Sequence, residues 1–296
     1  MSTTNHDEYF IPEPSKWPVV GTVALVTTVL GAVNTIHSFR DGTDSVSLLL
    51  PAGLLLIAYL FFGWFGAVIK ESMENSYNEQ VDRSFRIGML WFIFSEVMFF
   101  AAFFGALFYA RMIAMQWLGG SSNNAATHEY LWPAFDAVWP ILTNPDNTAY
   151  VAPMEKMGAW GLPAINTAIL LASSVTVTIA HHALRAGHRK PLIMWLAATV
   201  ALGVVFLFLQ VEEYAHAYNE MGLTLDSGIY GSTFFLLTGF HGFHVTMGTL
   251  MLFIMLVRAI KDHFTPEKHF AFEAVAWYWH FVDVVWLGLF IFVYWL

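Results

Sequence analysis

Seven stretches of this chain are apolar and long enough to cross a bilayer as α-helices, and that constrains the fold more than any other feature. They cover approximately residues 17–36, 47–70, 87–111, 162–182, 191–216, 229–258 and 274–296. Backbone amides in hydrocarbon must be satisfied within their own segment, so the expected fold class is all-α, a polytopic membrane protein with seven transmembrane helices. The long connection, 112–161, is rich in Gly, Ser, Asn and Pro ("GGSSNNAATHEY") and must lie outside the hydrocarbon. Composition agrees, because a chain that is 57% hydrophobic and only 12% charged has too little polar surface to coat a soluble globule of 296 residues. The N-terminus, "MSTTNHDEYFIPEPSKWP", lacks the basic start and short apolar core of a signal peptide, so cleavage is not expected. There is no Cys, which excludes disulfides, thiolate metal sites, Fe–S clusters and Cys nucleophiles. The net charge of −9 argues against nucleic acid as a partner.

Orientation follows from Lys and Arg. With the N-terminus in the cytoplasm, the inner segments hold Lys16, Lys70, Arg83, Arg86, Arg185, Arg189, Lys190, Arg258, Lys261 and Lys268. The outer ones hold Arg40, Arg111 and Lys156. Ten cations against three place the N-terminus inside and the C-terminus outside, as an odd number of spans requires.

The third span contains "WFIFSEVMFF", where Glu96 is the one ionisable side chain between Gly88 and Tyr109. Helices three and seven run in the same direction, so Glu96 and Asp283 fall at similar depth, roughly 12–13 Å from their helix starts. "GFHGFHV" on helix six presents His241 and His244 at i, i+3, and "WYWHFVDVVW" on helix seven repeats that spacing with His280 and Asp283. Three readings of this set are open: a metal site, a proton or ion path, and hydrogen-bonded helix packing through Ser95, Thr238 or Thr246. No E-x-x-H or H-E-x-x-H element lies on these helices, so no metal is expected. His181 and His182 in "IAHHALRAGHRK" read as cations at a helix end. Glu212, Glu213 and His216 in "VEEYAHAYNEMG" read as a structural hydrogen-bonded corner.

The ordered set "FIFSEVMFFAAFF", "IAHHAL", "EEYAHA", "GFHGFHVTMGT", "HFTPEKHFAFEA" and "WYWHFVDVVWL" closely resembles subunit III of the haem–copper cytochrome c oxidases. The match runs from "SKWP" at Ser15 to the C-terminus and is weakest in 112–160. The resemblance implies a two-helix part (1–80) and a five-helix part (81–296), with phospholipids in a cleft between them. It implies a non-catalytic chain without its own haem, copper or other metal. Such a chain packs against subunit I, shares the complex with subunit II, and supports proton uptake and turnover stability while cytochrome c reduces oxygen to water. A bacterial inner membrane is the expected location. The rival reading is a stand-alone proton or ion transporter built on Glu96, His244 and Asp283.

Residue by residue, the resemblance assigns phospholipid contacts to Trp64, Phe65 and Glu71 near the end of helix two and to Phe92 on helix three. It assigns a lipid phosphate to Arg258, with His263, Thr265 and Lys268 in the neighbouring "DHFTPEKH" loop. It makes Glu96 a buried glutamate, protonated or hydrogen-bonded within the five-helix part. Two departures stand out: "YNEQVDRSFRIG" replaces a His-Thr-Pro stretch common in the family, and Ala67 and Lys70 stand where relatives often carry acids. A negatively biased approach to the proton entrance is expected from Glu8, Glu13, Glu71, Glu74, Glu79, Asp82, Asp262 and Glu267.

Overall fold

The computed structural model describes residues 14–43 and 45–296, so Glu8 and Glu13 lie outside the described residues. Among the described residues seven helices are long and apolar enough to cross a membrane, and no strand occurs. They are α1 (Trp17–Arg40), α2 (Leu49–Met73), α3 (Glu79–Tyr109), α4 (Leu162–Arg185), α5 (Arg189–Asn219), α6 (Ile229–Ile260) and α7 (Phe270–Leu289). α3 continues through a wider turn, Ala110–Ala114, to Leu118, and α7 ends in a similar turn, Phe290–Trp295.

Each helix overlaps an expected span, and most extend past it by a turn or so of polar residues. α3 shows the reason. The apolar run begins near residue 87, yet the helix starts at Glu79, where the Asn78 Oδ1 accepts the Val81 N–H at 3.0 Å. Glu79 and Asp82 then sit in the first turn, beside the positive end of the helix dipole. Hydropathy marks the part that lies in hydrocarbon, whereas caps and terminal charges set where the helix itself stops.

The chain divides within α3 into two compact units, one ending at Phe85 and the other running from Arg86 to Leu296. In the first, α1 packs along α2. Gly31 and Gly53 are the points of closest approach: a Cβ at Gly31 would run into the Leu50 backbone, and one at Gly53 into Thr28. Lipid tails are as apolar as leucine, so small residues that let backbones touch are what hold such a pair together. Thr35 joins the hairpin's end by donating to the Gly31 carbonyl at 2.8 Å and accepting the Ser47 N–H at 3.1 Å.

In the second unit α4 packs on α5 and α7, and α6 on the same two neighbours, which closes a four-helix ring. Trp279 and Trp286 fill its centre and are almost wholly buried. Each indole N–H has a partner on α4: Trp279 donates to the Ser173 Oγ and Trp286 to the Thr167 Oγ1, both at 2.9 Å. Gly203 and Gly248 leave room for the Trp279 ring, which lies 3.0 and 2.8 Å from where their Cβ atoms would be. From Arg86 onward α3 meets this ring through large side chains. Phe99 packs edge-on against Phe240 at 5.0 Å, Phe100 reaches Phe281 at 6.1 Å, and Phe104 covers Gly288. The connection after α3 folds over its own small cluster of Met115, Phe135 and Ile141.

Candidate functional site

The intramembrane polar residues resolve into three local arrangements. On the first, the His244 Nε2 lies 3.1 Å from the Glu96 Oε2, while the His244 Nδ1 donates to the Phe240 carbonyl at 2.6 Å. A carbonyl only accepts, so Nδ1 carries a hydrogen. The imidazole and the carboxyl then share one further proton: either Glu96 donates it to the Nε2 lone pair, or an imidazolium donates it to a carboxylate. In both cases the pair is electrically neutral as a whole, which is how an acid persists in hydrocarbon.

In the second arrangement the His241 Nε2 faces the Val282 carbonyl at 3.2 Å, with its ring 5.0 Å from Trp286. The third links His280 to Ser174, whose Oγ is 2.7 Å from Nδ1, and places the Asp283 Oδ2 3.7 Å from the same nitrogen, beyond hydrogen-bond range. Among the described residues no hydrogen bond or ion pair joins Glu96 to Asp283.

Two expectations need correction. His241, His244 and Asp283 are buried, but the Glu96 side chain is 23% exposed and that of His280 41%, so the set is not uniformly buried. α3 touches the ring through tips of rings, which leaves its carboxylate at a rim, and His280 projects from the side of α7. Nor do Ser95, Thr238 and Thr246 serve as partners: each donates to a carbonyl in its own helix, at Phe92, Phe234 and Gly242. A hydroxyl finds a carbonyl three or four residues back cheaply, and Thr238 uses its other capacity on the Tyr214 hydroxyl of α5 at 2.7 Å rather than on this set.

At the other end of α6, Arg258 is 6% exposed, its guanidinium lies 4.5 Å over the Phe264 ring, and its Nε has no protein partner. No carboxylate pairs with it among the described residues. His263, in the loop that follows, is pushed below the ordinary imidazole range by burial and then by Arg258 and Lys261. Thr265 and Lys268 close that loop, the Lys268 N–H bonding to the Thr265 carbonyl at 3.2 Å.

In the first unit, Trp64 and Phe65 are exposed, and Phe65 stacks on Phe61 at 5.9 Å. Glu71 belongs to the last turn of α2 and accepts from the Tyr77 hydroxyl at 2.6 Å. Burial and that carboxylate raise the Tyr77 phenol well above its ordinary range. In the second unit Phe92 stacks on Tyr278 at 6.2 Å.

The sequence reading missed two partnerships. Arg86, read as a topology-setting cation, makes a 2.6 Å ion pair with Glu273 in the first turn of α7. Glu213, read as part of a structural hydrogen-bonded corner, is buried and does hydrogen-bond, but its partner is the Tyr294 hydroxyl at 2.6 Å, 81 residues away and outside that stretch.

This geometry defines a class first: a multi-pass helical membrane protein in which Glu96 pairs with His244, His241 bonds to a backbone carbonyl, and the buried Asp283 lacks a hydrogen-bond partner among the described residues. A family model described as cytochrome c oxidase subunit III matches residues 6–296. The chain is 41% identical over 296 residues to cytochrome c oxidase subunit 3 of Arabidopsis thaliana, covering 100% of this chain and 98% of that one. For the protein of that name from Marchantia polymorpha the identity is 42% over the same shares. For that of Sus scrofa it is 40% over 288 residues, 97% of this chain and 96% of the relative. The chain belongs to the cytochrome c oxidase subunit III family, and as such is a subunit of a complex with other oxidase chains.

Proposed function

We propose that the chain is a non-catalytic subunit that packs against the catalytic subunit I, alongside subunit II, and binds phospholipid. In this reading it supports proton uptake and prolongs activity while the complex reduces oxygen to water with electrons from cytochrome c. The haems and copper belong to the partner subunits.

Arg258 carries the lipid part. A guanidinium this buried, without a carboxylate, needs an anion, and at the end of a membrane helix the available anion is a lipid phosphate. The exposed rings of Trp64, Phe65 and Phe92 offer flat apolar surfaces for acyl chains. Glu71 and Glu74 at the end of α2, with Asp262 and Glu267 after α6, supply the acids for the proposed negative approach to the proton entrance. Turnover and its decay, followed against pH in oxidase with and without this chain, test the role. Slower turnover at alkaline pH and a shorter active lifetime without it are expected, and identical curves would reject it.

The rival transporter reading needs a continuous polar route, and Glu96–His244 is not bonded to Asp283. Purification separates the two, because a subunit brings haem and copper absorbance with it. For location, the proposal is a bacterial inner membrane with the N-terminus in the cytoplasm. The lack of native Cys makes this simple to check: Ser15→Cys should label only from the cytoplasmic side and Leu296→Cys only from the other.

A further inference from the structure

We infer that His181, His269 and Glu273 form a binding site for a divalent ion of the zinc type, at the end of the bundle where α4 stops and α7 begins. The three come from different parts of the chain. His181 is in the last turns of α4, His269 is the residue on which α7 starts, and Glu273 is in the first turn of α7. One ligand atom from each lies within 4.8 Å of the other two, close enough for a single ion to be held among them. All three side chains are partly exposed, so an ion can enter from the surface.

The hydrogen bonding around the cluster prepares it for a metal. The His269 Nδ1 lies 3.2 Å from the Thr265 carbonyl, which can only accept. Nδ1 therefore carries the hydrogen and the Nε2 lone pair is left for a metal, the arrangement by which ligating histidines are usually fixed. The His181 Nε2 is shielded from solvent and has no protein partner. The two imidazoles meet edge to face, centroids 5.4 Å apart and planes at 65°, rather than stacking. Glu273 gives one oxygen to Arg86 at 2.6 Å, which orients the carboxylate and leaves the other oxygen available.

Two neutral imidazoles and one carboxylate form a three-ligand set suited to zinc with a fourth position open. Magnesium and calcium prefer oxygen throughout, so they are poor competitors. The sequence held one clue, His269 and Glu273 at i, i+4 in "HFAFE", but the partner His181 lies 88 residues away (269 minus 181). Its neighbours, His182 and Arg185, made it read as one of a group of surface cations.

The test uses the assembled oxidase containing this chain, stripped with chelator and titrated with Zn²⁺. The intact complex should take up one zinc more than the His181→Ala/His269→Ala double variant. Glu273→Gln should weaken that extra zinc by roughly tenfold or more. Arg86→Gln, which removes the group that orients the Glu273 carboxylate, should weaken it as well. Zinc X-ray absorption of the unmodified complex should show imidazole nitrogens at about 2.0–2.1 Å. Equal zinc uptake by the intact complex and the double variant would overturn the inference. If the double variant does not assemble, a zinc shell without imidazole in the unmodified complex overturns it.

Discussion

Glu96 on α3 and His244 on α6 share one proton across a 3.1 Å contact, with the second ring nitrogen committed to the Phe240 carbonyl. Glu96→Gln can replace the carboxyl by turning its amide N–H toward Nε2, so assembly and most oxygen reduction should survive. Glu96→Ala leaves the imidazole without that bond and should cost about 1–3 kcal/mol of stability. Thermal denaturation of the purified complex separates the two variants; near-complete loss of turnover in the Gln variant would revive the proton-relay reading.

Arg258 supports a prediction about lipid content. Arg258→Leu removes the buried charge but keeps the bulk, and the complex should then lose a phospholipid that the unmodified enzyme retains through detergent washing. Loss of a charge-assisted bond of about 1.5–3 kcal/mol corresponds to a roughly ten- to hundredfold weaker hold. Mass spectrometry of extracted lipid gives the readout, and unchanged lipid content would count against the assignment.

The contact between Gly248 and Trp279 is steric. Gly248→Val places methyl groups where the indole lies and should destabilise the four-helix ring by about 1–3 kcal/mol. The same exchange at Gly242, whose Cβ position is open, should be close to neutral. A comparison of Tm values for the two variants isolates packing from any general effect of adding valine to α6.

His263 gives a pH signature. Its folded pKa is depressed by burial and by Arg258 and Lys261, while an unfolded imidazole titrates near ~6.5. Between those values the unfolded chain binds more protons, so stability is full above about pH 6.5 and falls as pH drops through the folded pKa. His263→Gln should flatten that decline as the pH falls below about 6.5. A variant whose stability follows the same pH curve as the unmodified protein would show that another group is responsible.

Most of the helical frame was legible in the sequence, because each span is an apolar run bounded by charges. Interior partners were legible only where helix period or depth brought residues together. Depth put Glu96 level with Asp283 but left open which of the groups at that level it meets, and the structure brings it to His244. The partners of Arg86 and His181 lie on helices distant in sequence, and hydropathy contains no information about which face of one helix meets which face of another. Pairing by resemblance located Arg258; that its guanidinium lacks a carboxylate partner required coordinates.

The glycine contact between α1 and α2 bears on biogenesis. These helices touch backbone to backbone through Gly31 and Gly53, and Thr35 fastens the turn between them. All of these contacts are local in sequence, so the hairpin can form in the bilayer while α4 to α7 are still being synthesised. The N-terminal quarter of the chain is therefore suited to insert as a preassembled unit, independent of the order in which the remaining helices find their places.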